Sequence, residues 1–306
     1  MENATRAENH AHPRIAAAAP ELRRRALLLV LADVPSDDRA QNALEIEASD
    51  AAFEGLLAAE RESRLVGAIW AQPQVGRNVI VWPPQLADGE PEATADELLA
   101  RALDFATRQG AKLAQSLVTH QAERSTARLR RGGFEHMADL VYLLALDASF
   151  PESPAETELS FEAYDAGNHD RFVGIVEETY VGTLDCPALD GVRDCQEVLA
   201  GYRATGEFDP SNWLLAKFDG RDAGCLLLAD HPRMNHAELV YMGLAKWARG
   251  RKWGRDLARR AQWLARCLSR RGLLAAVDAA NHPAVDAYAE TGFHVWDRRA
   301  AYLKRL

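Results

Sequence analysis

The stretch WARGRKWGRDL, residues 247–257, packs Arg249, Arg251, Lys252 and Arg255 around Gly250 and Gly254. Upstream, AELVYMGLA from Ala237 reads as a strand. Downstream, Leu257, Ala261, Leu264 and Leu268 recur at i, i+4, i+7 and i+11, one apolar face of an amphipathic helix. The glycines therefore fall where a strand gives way to a helix N-terminus. Backbone N–H groups there have no intrahelical acceptor and the dipole end is positive, which suits an anion. Glycine lets a phosphate approach the main chain, and arginines add charge-assisted bonds. The competing reading is a solvated basic helix face, which fits Arg259, Arg260, Arg266, Arg270 and Arg271 better than it fits 249–255.

The longer run LVYMGLAKWARGRKWGRDL resembles the acetyl-coenzyme A motif of the GNAT superfamily of N-acetyltransferases: a strand, V-x-P, then R/Q-x-x-G-x-G/A opening a helix. NHPAVDAYAETGF resembles the superfamily's second signature through Asn281, Ala284, Tyr288, Gly292 and Phe293. The resemblance covers most of residues 158–306. It implies that acetyl-CoA, or another acyl-CoA, lies in splayed strands with its pantetheine arm on backbone groups of Met242 and Leu244. Its pyrophosphate would lie on main-chain amides across Arg249, Gly250, Arg251, Lys252, Trp253, Gly254 and Arg255, with Asn281 also in contact. Tyr288 would stand near the sulfur as general acid; a thiol titrates near about 8.5, so donation by a phenol near about 10 is reasonable chemistry. The plainer role for Tyr288 is packing on an amphipathic helix, and Trp253 either covers the cosubstrate or packs the helix start. Glu238, on the strand leading to Met242, is the candidate base for the attacking ammonium, directly or through a water. Asp278 is second, and both could equally be surface carboxylates. Two positions depart from the motif: Lys246 stands where it wants proline and Lys252 where it wants the first loop glycine. Lys252 either supplies charge in place of close backbone approach or marks weakened binding.

The two halves of the chain repeat one another. RLVGAIWAQ from Arg64 matches RDAGCLLLAD from Arg221, with Gly67 and Gly224 three residues after the arginine. Gly110 and Gly272 each end a helical pattern before a strand, and RRGGF and AETGF place Phe134 and Phe293 in the same order. Landmarks in register over about 160 residues point to a duplicated domain. The first copy keeps the landmarks and loses the chemistry. Asp88, Glu90, Glu92, Asp96 and Glu97 occupy the phosphate position, where they would repel a pyrophosphate, and Leu129 takes the place of Tyr288. Tandem acetyltransferases with one decayed domain, of the mycothiol synthase-like type, are the analogy.

Composition sets wider bounds. The 306 residues suit two domains, 48% hydrophobic and 26% charged content is ordinary for a globular chain, and the net charge of -9 argues against a dedicated nucleic-acid or membrane binder. Between Arg249 and Arg271, however, nine bases stand against Asp256 alone. That island is the basis of an RNA-binding alternative. Four cysteines without metal-ligand spacing fit a reduced cytoplasmic protein with no metal. The apolar run in RRRALLLVLAD (Ala26–Ala32) reads as an internal strand rather than a signal peptide. His231 and His236 in HPRMNH read as a hairpin turn rather than a metal pair, and Trp213, Trp247, Trp253 and Trp263 could pack or stack on bases.

These readings predict a mixed α/β sheet protein of two tandem GNAT-like domains. Residues 1–20 form a disordered leader, 21–147 a degenerate domain, 148–158 a Pro/Ser/Glu-rich linker and 159–306 the catalytic domain. The expected activity is direct, acyl-CoA-dependent N-acetylation of a small-molecule or peptide amine by a monomer or homodimer. The alternative is a non-catalytic acyl-CoA sensor or scaffold. The acceptor amine is not legible, because loops such as 181–212 carry no motif.

Overall fold

The computed structural model describes residues 12–34, 36–47, 53–189 and 191–306. The chain divides into two compact units, Met1–Glu135 with Tyr302–Leu306, and His136–Ala301.

The first unit carries β1 (Arg14–Ala17), α1 (Pro20–Val30), α2 (Ser36–Glu47), β2 (Leu56–Arg61), β3 (Arg64–Gln74), β4 (Asn78–Leu86), α3 (Glu92–Arg108), β5 (Leu113–Val118) and α4 (Glu123–Arg131). Its strands run in the order β1-β2-β3-β4-β5, antiparallel except for the parallel pair β4–β5. Two expectations are corrected here. The apolar run at Ala26–Ala32 is helix, not strand: Ala26, Leu27 and Val30 are buried along one face of α1, and Pro20 at its first position gives up an amide the helix does not use. A short apolar run fits either period, and here packing decides. The expected leader also reaches too far, since Arg14–Ala17 pair with Leu57–Glu60; residues 1–11 lie outside the described residues.

The second unit holds β6 (Glu135–Leu146, all but its first residue), β7 (Ser160–Ala163), α5 (His169–Tyr180), α6 (Cys195–Arg203), β8 (Trp213–Phe218), β9 (Arg221–His231), β10 (His236–Leu244), α7 (Trp253–Cys267), β11 (Gly272–Asp278), α8 (His282–Ala289) and most of β12 (His294–Arg305). Its strand order is β12-β6-β11-β10-β9-β8-β7. Leu257, Ala261 and Leu264 of α7 bury one sheet face together with Leu226, Leu239 and Val277. Phe172, Val176 and Leu199 of α5 and α6 cover the other over Trp213, Leu215 and Leu227.

From β7 to α8 the second unit repeats the element order of the first from β1 to α4. The glycines that revealed the repeat have one physical role: Gly67 pairs with Leu86 at the end of β4, and Gly224 with Leu244 at the end of β10. A Cβ at Gly224 would lie 2.2 Å from the Gly243 carbonyl oxygen, and one at Gly67 2.9 Å from the Leu86 side chain. At Gly224 the contact is with backbone and only glycine fits; at Gly67 it is with the ends of the Leu86 and Leu98 side chains. Both pairings also carry an irregularity just before it, between Ala68 and Trp70 and between Leu239 and Tyr241, which bends the strand. The boundary differs from the sequence expectation. Strand β6, expected to close the first domain, pairs antiparallel with β11 through Leu140–Leu146, and Tyr302–Leu306 belong to the first unit.

Candidate active site

The parallel pairing of β10 with β11 runs from His236↔Gly272 to Leu239↔Ala275 and stops. Beyond it Tyr241–Leu244 stay paired to β9, while β11 continues to Asp278. The two strands thus part, and a cleft of about 740 Å³ opens along them. Its walls come from Thr179–Asp185, Leu239–Leu244, the loop at Arg249–Arg255, the end of β11 and the face of α8 with Asn281, Ala284, Ala287 and Tyr288.

At one end of the cleft the loop leads into α7. The amides of Gly250, Arg251, Lys252, Trp253 and Gly254 have no acceptor among the described residues, whereas Arg249 N–H donates to the Lys246 carbonyl and Arg255 N–H to the Lys252 carbonyl. Lys252, at the glycine position of the motif, adopts φ 67°, the left-handed conformation that glycine takes without cost. For a lysine it costs on the order of 1 kcal/mol, so the loop shape outlasts the loss of glycine. Consecutive free N–H groups at a helix N-terminus fit a pyrophosphate without further help.

The arginines do less here than their number suggests. Arg249 donates Nε to the Leu244 carbonyl at 3.1 Å, Nη1 to that of Gly182 at 2.8 Å and Nη2 to that of Thr179 at 2.7 Å. The Arg251 guanidinium lies over the rings of Phe218 and Trp253, and Arg255 pairs with Glu290. The side chains of Arg249, Arg251 and Arg255 are thus engaged within the protein, whereas the Lys252 ammonium has no ion-pair partner among the described residues. Trp253 is buried against Phe218 and Trp247 and packs the helix start. Arg251 and Trp253 do not line the cleft; Met242, Leu244, Arg249, Gly250, Lys252, Gly254, Arg255 and Asn281 do.

Asn281 caps α8, its side chain accepting the Ala284 N–H. The other end of α8 is fixed by Gln262 of α7, buried at 1% exposure, which donates to the Thr291 carbonyl at 2.7 Å. Between these anchors Tyr288 packs its ring edge-on against Phe293 and lines the cleft, its hydroxyl without a partner among the described residues. Burial, with the charge of Asp185, pushes the phenol above its ordinary range.

Neither carboxylate proposed from sequence reaches the cleft. Glu238 is bonded to His231 Nε2 at 3.0 Å with its side chain 39% exposed. Asp278 is buried and accepts the N–H groups of Ala280 at 2.9 Å and Cys186 at 3.2 Å, so it anchors backbone. Three carboxyls line the cleft: Asp286 on α8, Glu290 just after it and paired with Arg255, and Asp185, in the loop after α5 that no motif marked. Its Oδ1 accepts the Asp278 N–H at 2.9 Å, and burial, reinforced by the charge of Asp278, raises its pKa. Only its sequence neighbourhood, an acid beyond an amphipathic helix, was available as a signal.

The corresponding place in the first unit is filled. The Arg128 guanidinium, 5% exposed, donates to the Pro84 carbonyl at 2.9 Å and to the Gln85 side chain, and pairs with Glu92 at 2.7 Å. Glu90 is held by Arg61 and Thr94, and Asp96 by Arg131. Glu90, Glu92 and Asp96 are thus paired with arginines of their own unit, and Leu129 is fully buried.

Residues 138–293, just over half of the sequence, match the acetyltransferase (GNAT) family model. The chain belongs to the GNAT family. It is therefore an acyltransferase, and the family's general chemistry is N-acetylation of amines with acetyl-CoA. Among solved structures, a GCN5-related N-acetyltransferase from Sphaerobacter thermophilus is 15% identical, with a TM-score of 0.66 over 96% of this chain and 95% of that one. The GCN5-related glucosamine N-acetyltransferase region of a fungal multi-domain GH3 beta-N-acetylglucosaminidase is 13% identical, with a TM-score of 0.65 over 98% of this chain and 39% of that one. A tandem GNAT protein from the clavulanic acid biosynthesis pathway is 16% identical, with a TM-score of 0.50 over 96% and 98%. At these identities the likeness is one of fold. No curated protein matches the sequence.

The remaining motifs resolve into packing. HPRMNH is the turn between β9 and β10, with the His231 and His236 rings stacked at 4.8 Å. Trp213 is buried among Tyr164, Phe172 and Phe208. No described helix is long and apolar enough to cross a membrane.

Proposed function

We propose that this GNAT-family chain transfers an acyl group directly from acetyl-CoA, or another acyl-CoA, to the amine of a small molecule or peptide. One observation carries the reading: a single cleft joins the acceptor-free amides of Gly250, Lys252 and Gly254 to the Tyr288 hydroxyl, which has no partner among the described residues. Bound acetyl-CoA supplies an activated thioester carbonyl and a thiolate leaving group. Loop amides and Lys252 hold the pyrophosphate, and backbone groups of Met242 and Leu244 align the pantetheine arm. The Tyr288 hydroxyl faces the reacting end, where it protonates or hydrogen-bonds the departing sulfur.

In this reading residues 159–306 carry the transfer chemistry and 21–147 act as a degenerate partner domain, the tandem arrangement of mycothiol synthase-like proteins. The Arg128–Glu92 pair across the first unit's cosubstrate position supports that division. The test is release of free CoA thiol from acetyl-CoA with a panel of primary amines: an aliphatic diamine, an arylethylamine and an amino acid. Amine-dependent thiol release by the wild type, reduced in Tyr288→Phe, is the expected result. Binding of acetyl-CoA without thiol release with any amine would instead favour the sensor or scaffold reading.

A further inference from the structure

We propose that Asp185 is the base for the acceptor amine, and that the recess it forms with Tyr180 and Tyr241 takes a cationic primary amine. The inference rests on the transferase reading and assigns the acceptor side of the same cleft.

Of the charged side chains that line the cleft, Arg249, Lys252 and Arg255 belong to the loop, Asp286 and Glu290 to α8 and its end, and Asp185 to the segment after α5. Lys252 stands at the loop end, where phosphate belongs. On the wall made by α5 and the loop after it, Thr179–Asp185, the only charged side chain is Asp185. That carboxyl is not free to swing away, because its Oδ1 accepts the Asp278 N–H at 2.9 Å. The loop is pinned again next door, where the Cys186 N–H donates to the Asp278 carboxylate. One oxygen is therefore committed to the strand, and the other is available to a ligand.

The neighbouring wall suits an ammonium group. Tyr180 meets Tyr241 edge-on at 5.7 Å, and Tyr241 stacks on Tyr202 at 5.4 Å. Burial keeps all three phenols protonated, so Tyr180 and Tyr241, which line the cleft over Tyr202, bring aromatic surface and no competing negative charge. Thr179 Oγ1 and the Tyr241 hydroxyl lie 2.7 Å apart, which fixes the Tyr241 ring.

Asp185 also sits electrically close to Tyr288, whose phenol its charge helps to raise. Acceptor base and leaving-group acid thus line one cleft. The groups acting on the Asp185 carboxyl are Asp278 on β11 and Arg193 ahead of α6, and its own charge is felt by Cys186, Tyr202, Tyr241 and Tyr288. Burial and Asp278 favour its neutral form, while Arg193 and the Asp278 N–H oppose them. A carboxyl lifted toward neutrality is a better match for an ammonium proton than an ordinary aspartate.

The step balances without another reactant. The ammonium gives one proton to the Asp185 carboxylate, and the freed nitrogen pair forms the C–N bond to the acyl carbon. The C–S bond breaks with its pair on sulfur, which takes a proton from the Tyr288 hydroxyl; the second nitrogen proton leaves the tetrahedral adduct and restores the phenol, and Asp185 returns its proton to water. Amide, thiol and one released proton are the products.

The test combines thiol release across pH with a reading of the carboxyl itself. Asp185→Asn keeps an oxygen for the Asp278 N–H, so the loop has its anchor. The expected result is a loss of about 100-fold or more in kcat with acetyl-CoA affinity by calorimetry unchanged within about threefold. The acidic limb of the wild-type kcat/KM profile should disappear with it. In carboxyl-labelled protein, 13C NMR should show one aspartate titrating above the ordinary range in the wild type and absent from Asp185→Asn. An acidic limb that persists in Asp185→Asn, or the lack of such an aspartate, would overturn the assignment. A limb lost instead in Glu238→Gln would return the base to β10. Failure of the transferase reading looks different: no wild-type thiol release with any amine, whatever the carboxyl titration shows.

Discussion

The Arg249 side chain donates Nε to the Leu244 carbonyl at 3.1 Å, bridging the last residue of β10 to the loop that follows it. Its other nitrogens reach the carbonyls of Thr179 and Gly182, so one guanidinium satisfies acceptors from strand, helix end and loop. Arg249→Met is expected to destabilise the protein by about 2–4 kcal/mol, because three carbonyls lose a charged donor. Chemical denaturation measures this, and Arg249→Lys should recover only a minor part, since an ammonium cannot match the fork.

Lys252 combines a strained backbone with a free charge, and two substitutions separate them. Lys252→Gly relieves the positive φ and should raise stability by up to about 1 kcal/mol, seen as a rise of a few degrees in Tm. It should also weaken acetyl-CoA binding several-fold and flatten its salt dependence, because the ammonium is gone. Lys252→Ala should show the same loss of binding without the gain in Tm.

Tyr288→Phe keeps the ring contact with Phe293 and removes only the hydroxyl. The expected outcome is a fall in kcat of about 10–100-fold with acetyl-CoA binding unchanged. Equal losses in affinity and kcat would make the residue a binding contact rather than an acid.

In the first unit, hydrogen bonds from Arg128, then Arg131, hold Glu92 down to about 2, well below its ordinary 4.5. A carboxylate depressed in the folded state contributes stability that is complete above pH 4.5 and is lost as pH falls toward about 2. Urea midpoints should therefore fall through that window, and Arg128→Met should shrink the fall. At neutral pH that variant should be clearly less stable, since Glu92 and Gln85 lose a nearly fully buried partner.

Much of this molecule is legible from sequence because its determinants are local. Helical periodicity located α7, the strand-like run from Ala237 located β10, and the paired glycines at 67 and 224 disclosed the repeat, the one at 224 through a backbone approach that only glycine allows. The loop was readable as a strand-to-helix junction, but the destinations of Arg249, Arg251 and Arg255 were not. Those depend on carbonyls, rings and a carboxylate brought near by tertiary packing. The acidic residues at 88–97 were read as repelling phosphate, and their arginine partners at 128 and 131 lie about 35 residues away. Asp185 was invisible for the same reason, its place in the cleft being set by the Asp278 amide 93 positions along the chain. Run Ala26–Ala32 failed differently: seven apolar residues satisfy either period, and burial on one helix face settles the matter.

The central claim is that 249–255 is a phosphate loop and that the second unit alone binds the acyl donor. Calorimetric titration of the full chain with acetyl-CoA tests it most directly. The account predicts one saturable site per chain, weakened for 3′-dephospho-CoA only by the contacts that phosphate makes and weakened again in Lys252→Gly. No saturable heat up to millimolar acetyl-CoA, or two equivalent sites per chain, would contradict it.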